Sequence, residues 1–308
     1  MHKYILRRLL YMIPVIFGVM FIIFTLLYIT PGCPAQMILG EIARPQDIAA
    51  LRTEMGLDDP FIVQFAAFVT RTLQLDFGTS FQTRRSVFDE ITARFPNTLL
   101  LAALSVFLSV VIGIPLGILC ATKQYSAFDS VTTVLGLVAL SMPNFWLGLM
   151  LILLFSVQLG WLPATGIATP LHWILPTITI GLSNAGMIMR FTRSSMLEVV
   201  RQDYIRTARA KGQAESAVII YHALKNALIP VVTIVGLSFG FMLGGAVLVE
   251  TVFAIPGLGN FMVLAIRSRD FPIVQGGVLL MAVIFSFVNL LVDILYAYVD
   301  PRVRSQYK

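Results

Sequence analysis

The fold is decided by residues 130–189, SVTTVLGLVALSMPNFWLGLMLILLFSVQLGWLPATGIATPLHWILPTITIGLSNAGMIM, sixty positions without an Asp, Glu, Lys or Arg. A helix needs roughly 20 apolar residues to span a hydrocarbon core. This run is too long for one crossing. Its middle, Gly160-Trp161-Leu162-Pro163-Ala164-Thr165-Gly166 followed by Pro170, is turn chemistry, so the spacing predicts two crossings around a bend.

Working outward, four more uncharged runs are each long enough for one crossing: Leu9 to Gly40, Phe95 to Thr122, Asn226 to Val249 and Phe271 to Val292. The expectation is an all-α membrane protein with six transmembrane helices. Composition agrees, with 57% hydrophobic and only 12% charged side chains and a mean hydropathy of +0.85, where soluble domains carry about 25% charge. These figures exclude a disordered or collagen-like chain and argue against a self-contained cytosolic enzyme.

An even number of crossings puts both termini on one side, and the basic residues say which. Lys3, Arg7, Arg8, Lys123, seven between Arg190 and Lys225, then Arg302, Arg304 and Lys308 face only Asp129, Glu198, Asp203, Glu215 and Asp300. Residues 41–94 carry six basic against eight acidic groups. The positive-inside bias places both termini in the cytoplasm and residues 41–94 outside, with Trp161 and Trp173 at the outer interface. The same bias accounts for the net charge of +6 without nucleic acid. The first apolar run is too long for a signal peptide and lacks a small-x-small site, so it reads as an uncleaved helix. Cys33 and Cys120 fall at opposite faces and cannot pair, and His2, His172 and His222 share no segment, which argues against a metal site.

The expected organisation is an N-terminal span over 1–30, an external helical segment over 31–95, a five-helix core over 96–300 with a cytoplasmic loop at 190–227, and a tail at 301–308. In the external segment, Pro45 to Met55 reads as a helix stopped by Gly56. Asp59 as N-cap with Pro60 at the first helical position opens a second, and Asp76-Phe77-Gly78 forms a turn. Val87, Phe88, Ile91 and Phe95 share one face of a third short helix, capped by Ser86, that would rest on the membrane surface.

The longest charged cytoplasmic stretch holds Asp203-Tyr204-Ile205-Arg206-Thr207-Ala208-Arg209-Ala210-Lys211-Gly212. Good helix formers end at a glycine suited to left-handed closure, predicting helix, sharp turn, helix: a rigid knob. Small Ala208 and Ala210 would admit a partner and the flanking arginines would meet its carboxylates. A plain positive-inside loop is the other reading of the charge.

This stretch resembles the EAA loop of bacterial ABC-importer permeases, with Arg206-Thr207-Ala208 in the place of Glu-Ala-Ala and Gly212 in that of the motif glycine. His222-Ala223-Leu224-Lys225 replaces Ile-x-Leu-Pro and the proline is delayed to Pro230, the form found in the dipeptide/oligopeptide/nickel branch. Similar blocks run through the chain: Tyr4-Ile5-Leu6-Arg7-Arg8-Leu9-Leu10, Pro31-Gly32-x-Pro34-Ala35, Met55-Gly56-Leu57-Asp58-x-Pro60, Asp76-Phe77-Gly78-x-Ser80, Ser141-Met142-Pro143-Asn144-Phe145-Trp146, Leu159-Gly160-Trp161-Leu162-Pro163, Glu250-Thr251-Val252-Phe253, Pro256-Gly257-Leu258-Gly259, Arg269-Asp270-Phe271-Pro272 and Asp300-Pro301-Arg302.

The resemblance implies the type I ABC importer transmembrane-domain fold in the bacterial cytoplasmic membrane, surrounded by lipid. It also implies a second homologous permease subunit, two cytoplasmic ATPase subunits and an external solute-binding protein. In that family the loop helix, here Tyr204 and Arg206 to Gly212, docks on the ATPase. No Gly-x4-Gly-Lys-Ser/Thr loop occurs in this chain, so no cofactor is expected in it and ATP and Mg would be bound by the partners. The cargo would be dipeptides, oligopeptides or a similar small solute, with glutathione-like peptides, nickel or a metal chelate as alternatives. An ion-coupled secondary transporter is disfavoured by the scarcity of acids in the spans, and an intramembrane enzyme by the lack of a catalytic pair.

Gly236, Gly240 and Gly244, with Gly245, form a strip along the fifth span that reads either as close helix packing or as a path or gate surface. Gly113 and Gly117 read as packing. Glu250, at the outer end of the same span, is open to three readings: a solvated interfacial group, a partner for an arginine, or a contact for a substrate ammonium. Asn289 and Asp293, one turn apart, are expected to hydrogen-bond within the bundle near the cytoplasmic face.

Overall fold

A computed structural model of the protein describes residues 2–40 and 42–299. Glu41, the tail 301–308 and the Asp300-Pro301-Arg302 block lie outside the described residues, as do the surroundings of Gly245. Among the described residues the chain is almost entirely helical, with one isolated β-bridge, Thr79 to Ser86. In order come α1 (His2–Ile29), α2 (Pro34–Leu39), α3 (Pro45–Glu54), α4 (Phe61–Leu73), α5 (Val87–Thr122), α6 (Ala127–Ser141), α7 (Asn144–Leu151), α8 (Ile174–Val200) and α9 (Asp203–Ala210). The single turn α10 (Glu215–Ala217) widens into a π-helical turn, Val218–Leu224, that leads into α11 (Lys225–Val252); α12 (Leu258–Arg267) and α13 (Phe271–Val299) follow.

Four helical stretches are long and apolar enough to cross a bilayer: Ile5–Ile29, Val87–Thr122, Glu215–Gly244 and Phe271–Ile294. A fifth arises if Ala127–Ser141 and Asn144–Gln158 count as one span, but these halves meet at 102°. The first part of the sixty-residue run is therefore not the straight crossing expected. The break is at Pro143, which disfavours the α conformation at the residue before it, and Met142 is extended at φ −76°, ψ 127°. The second part is α8, 27 residues long but interrupted by Thr179, Ser183 and Thr192, which are buried inside the protein.

α8 runs closely along α5 because glycines remove the intervening side chains. A methyl group at Gly113 would stand 2.8 Å from the Ala185 carbonyl, and one at Gly117 2.7 Å from that of Met189. Ser109 donates across the same contact to the Gly181 carbonyl at 2.8 Å. The central core joins Leu101 and Ala102 of α5, Leu175 and Ile180 of α8, Met242, Leu243, Ala246 and Val249 of α11, and Phe253 and Ile255 beyond it.

Two further cores mark the ends of the bundle. At one, Val87 and Ile91 pack with Ile23 of α1, Leu258 and Ala265 of α12, and Ile273 and Val274 of α13. Val87 and Ile91 thus face protein rather than a membrane surface, and they begin the 36-residue α5 rather than a separate short helix. Ser86 caps it by accepting from the Asp89 N–H at 3.4 Å. Before α5, Gly56 at φ +65° closes α3 and Gly78 donates to Asp76 Oδ1 at 2.9 Å in a turn, as the residues there suggest. Asp59, however, makes no cap for α4, whose N-cap is Pro60. At the opposite end, Ala121, Met196, Ile205, Ala208, Val218, Ala223 and Ala227 form the seat of α9.

Candidate functional site at the two ends of the bundle

α9 is a short helix held by one face. Ile205 is fully buried and Ala208 nearly so, while Tyr204, Arg206, Thr207, Arg209, Ala210 and Lys211 are exposed. Ala208 therefore faces the chain's own core, and of the two small residues only Ala210 lies on the open side. The helix closes as a Schellman motif: Gln213 N–H donates to the Ala208 carbonyl at 3.4 Å, Gly212 N–H to that of Arg209 at 2.9 Å, and Gly212 sits at φ +76°. Arg209 bridges the turn to Glu215 with two bonds of 3.0 and 2.6 Å. That pairing holds the Arg209 guanidinium above its ordinary pKa. Arg209 is thus a clasp across the turn, leaving Arg206 and Lys211 as the outward cations. Asn226 of α11 donates to the Tyr204 hydroxyl oxygen at 2.8 Å, tying the knob to the helix that runs back through the bundle.

At the other end Glu250 lies fully buried. Its Oε1 accepts from the Thr98 hydroxyl of α5 at 2.6 Å and its Oε2 from the Asn260 N–H of α12 at 2.8 Å. Thr98 in turn accepts the Leu258 N–H at 2.9 Å. The first-turn N–H groups of a helix have no intrahelical acceptor, and a carboxylate there also meets the positive end of the helix dipole. Glu250 therefore does the work of an N-cap for α12 from a different helix. A Cβ on Gly257 would collide with the carboxylate, and one on Gly259 would stand 2.9 Å from Oε2. In place of solvent, an arginine or open space, Glu250 has a hydroxyl, a backbone N–H and two glycines around it.

Two more contacts fix the same end. Asp270, 3% exposed, accepts from the Ser80 hydroxyl at 2.5 Å and from the N–H groups of Phe81 and Gln82 at 3.1 and 3.3 Å. Arg94 pairs with buried Glu90 and lies over the Phe261 ring, 3.8 Å from its centroid. Sequence reasoning assigned none of Thr98, Ser80 or Asp270 a role. The Asp76-to-Ser80 and Arg269-to-Pro272 blocks stood out individually, but nothing in either indicates that Ser80 and Asp270 meet.

The glycine strip divides. Side chains at Gly236 and Gly240 would run into Val292 and Phe285 of α13, the latter at 2.7 Å, whereas Gly244 is exposed with nothing within 4 Å. Asp293 pairs within the bundle, with Arg8 of α1 at 2.9 Å, whereas the Asn289 amide oxygen is buried without a hydrogen-bond partner among the described residues. Elsewhere Arg193 of α8 grips Asp129 of α6 with bonds of 2.6 and 2.7 Å. Among the described residues no group of three His, Cys, Asp or Glu side chains is placed to hold a metal ion.

Residues 113–305 match the family described as "Binding-protein-dependent transport system inner membrane component", and residues 1–102 match its N-terminal counterpart. The dipeptide transport system permease protein DppB of Alkalihalophilus pseudofirmus is 43% identical, covering 99% of this chain and 100% of the relative. The glutathione transport system permease proteins GsiC of Salmonella typhimurium and of Escherichia coli K12 are 45% and 43% identical, each covering 99% of both chains. The fold is similar to that of an inward-facing MetNI methionine ABC transporter chain, with a TM-score of 0.55 and 19% identity over 68% of this chain and 96% of that one. The bundle thus has the fold of a transporter membrane domain, and full-length identity carries it further: this chain belongs to the family of inner membrane components of binding-protein-dependent transport systems, and is a permease subunit rather than an enzyme.

Proposed function

We propose that this permease forms half of the path through which an ATP-driven importer takes up dipeptides or short peptides such as glutathione. The observation that carries the cargo class is the identity of 43–45% over nearly the full length to dipeptide and glutathione permeases. The knob supports the division of labour. It presents an exposed helix face on a rigid apolar seat, the form required to receive a push from another subunit, and this chain has no phosphate-binding loop of its own. One of two ATPase subunits carrying ATP and Mg docks at α9, chiefly on Tyr204, Arg206, Thr207, Ala210 and Lys211, and the other on the second permease. A second homologous permease completes the path, and a binding protein delivers cargo at the α12 end.

In this reading α8 and the bent α6–α7 unit both traverse the membrane, giving six crossings. Both termini and α9 are cytoplasmic and the α12 end is external. Gly244, open on its surface, belongs to the path; Gly236 and Gly240 hold α11 against α13; Glu250 sets the position of α12 as an outer gate element.

The test is uptake by cells lacking their own peptide importers and supplied with this permease and its partner subunits. Labelled dipeptide or glutathione accumulates, and with Cys33 and Cys120 replaced by alanine, Arg44→Cys but not Lys211→Cys reacts with an impermeant maleimide. Uptake of nickel without peptide would overturn the cargo class, and the reverse labelling pattern the orientation.

A further inference from the structure

α4 does not lie clear of the membrane as a segment between spans is expected to. Its aromatic face rests on α1: Phe61 against Tyr28 and Phe24 at ring-centroid distances of 5.1 and 5.3 Å, Phe65 against Phe21 and Phe17 at 5.5 and 5.6 Å, and Phe68 against Phe24 at 5.4 Å. Phe17 is near the middle of the 28-residue α1, about 18 Å along the axis from its end at Ile29. The hydrocarbon core is about 30 Å thick, so these contacts place α4 well below its boundary whichever way α1 points.

Among the described residues the other face of α4 has no partner. Ile62, Val63, Ala66, Ala67, Thr70 and Leu73 are exposed, Ile62 and Leu73 by 72% and 74%. They fall within one half of the helical circumference, and the Thr70 hydroxyl is satisfied by the Ala66 carbonyl at 2.8 Å. The helix carries a single charge, Arg71, in its last turn. Asp58, Asp59 and Asp76 flank it, so the polar chain resumes immediately at either end. With 13 residues, α4 reaches about 20 Å and cannot cross. As a helix it satisfies its own backbone, the condition for lying in lipid.

We infer that α4 is a re-entrant helix embedded in the leaflet on the α12 side, its outward face covered by phospholipid acyl chains continuous with those around α1. That occupant follows from continuity: α1 is itself largely exposed along its apolar length, with Ile13 and Ile22 open beside the α4 contact. Water is disfavoured because a half-cylinder of Ile, Val, Ala and Leu offers it no hydrogen bonds. The consequence is mechanical. α4 anchors in the bilayer the segment whose Ser80 loop grips Asp270 at the start of α13.

The experiment uses the permease copurified with its partner subunits and reconstituted in phospholipid vesicles, with Cys33 and Cys120 replaced by alanine. A bimane label is attached at Ile62→Cys, at Ala66→Cys or, as a control, at Glu54→Cys in α3. Phosphatidylcholine brominated in mid-chain should quench the labels at 62 and 66, and aqueous iodide should quench only that at 54. Loss of intensity at 62 and 66 to iodide rather than to brominated lipid would overturn the inference in favour of an aqueous face. No loss to either quencher would overturn it in favour of a protein neighbour such as the second permease. Retained transport-coupled ATP hydrolysis in each labelled complex shows that the assembly read is the native one.

Discussion

The knob at α9 and the cap at α12 both present a short helix on an apolar seat, yet they are built differently. In the knob the determining bonds join neighbours: Gly212 to Arg209, Gln213 to Ala208, Arg209 to Glu215 six positions on. In the cap they join strangers, Thr98 to Glu250 across 152 positions and Ser80 to Asp270 across 190. A turn made locally leaves one face free to be pushed without unmaking the turn. A cap made from three helices moves only if α5, α11 and α12 move together. The knob is therefore suited to transmit force and the cap to register the bundle's conformation.

The sharpest way to break this contrast is at Glu250. Glu250→Leu strips the Thr98 hydroxyl and the Asn260 N–H of their buried acceptor, at a cost of about 3 kcal/mol. The thermal midpoint of the purified complex should fall clearly, with Glu250→Gln restoring part of it because its one amide oxygen can still accept from one of the two donors. A Leu variant melting with the wild type would show that the cap does not register the bundle.

Next in size is the pair Gly240→Leu and Gly244→Leu on α11. At Gly240 the added side chain meets Phe285, and overpacking costs about 2 kcal/mol. At Gly244 it meets nothing within 4 Å, so stability should hold. Uptake lost at Gly244→Leu with intact assembly and persistent ATP hydrolysis supports a path surface there; equal loss of complex yield for both variants would mean that both glycines serve packing.

The smallest effect is expected at the knob. Gly212→Val forces a β-branched residue to φ +76°, a strain of about 1 kcal/mol or more with no steric clash to add to it. Uptake and ATPase attachment should fall while the thermal midpoint of the membrane bundle changes little. Gly212→Asn, tolerant of left-handed geometry, should keep most uptake. If Val and Asn behave alike, the turn is not what positions the docking face.

Membrane character, the helix at 203–210 and its closure at Gly212 were all legible from residues standing next to one another: uncharged runs, helix formers, a glycine after them. Such features depend on solvation and backbone geometry, which act over a few residues. The kink at Pro143 is equally local, yet the absence of charge on both sides of it reads as continuity. Glu250 was visible as an unusual acid, but its environment was not. Whether a carboxylate at a span's end meets water, an arginine or a helix N-terminus depends on which distant backbone folds back onto it. The same holds for Ala208, whose small size suits a partner or a core equally until α9 is rotated against Met196 and Val218. It holds for α4, whose apolar residues are the same at a membrane surface or within it until Phe65 is found beside Phe17. Chemistry written along the chain states what each residue requires of its surroundings; only the packing of helices far apart in sequence supplies those surroundings.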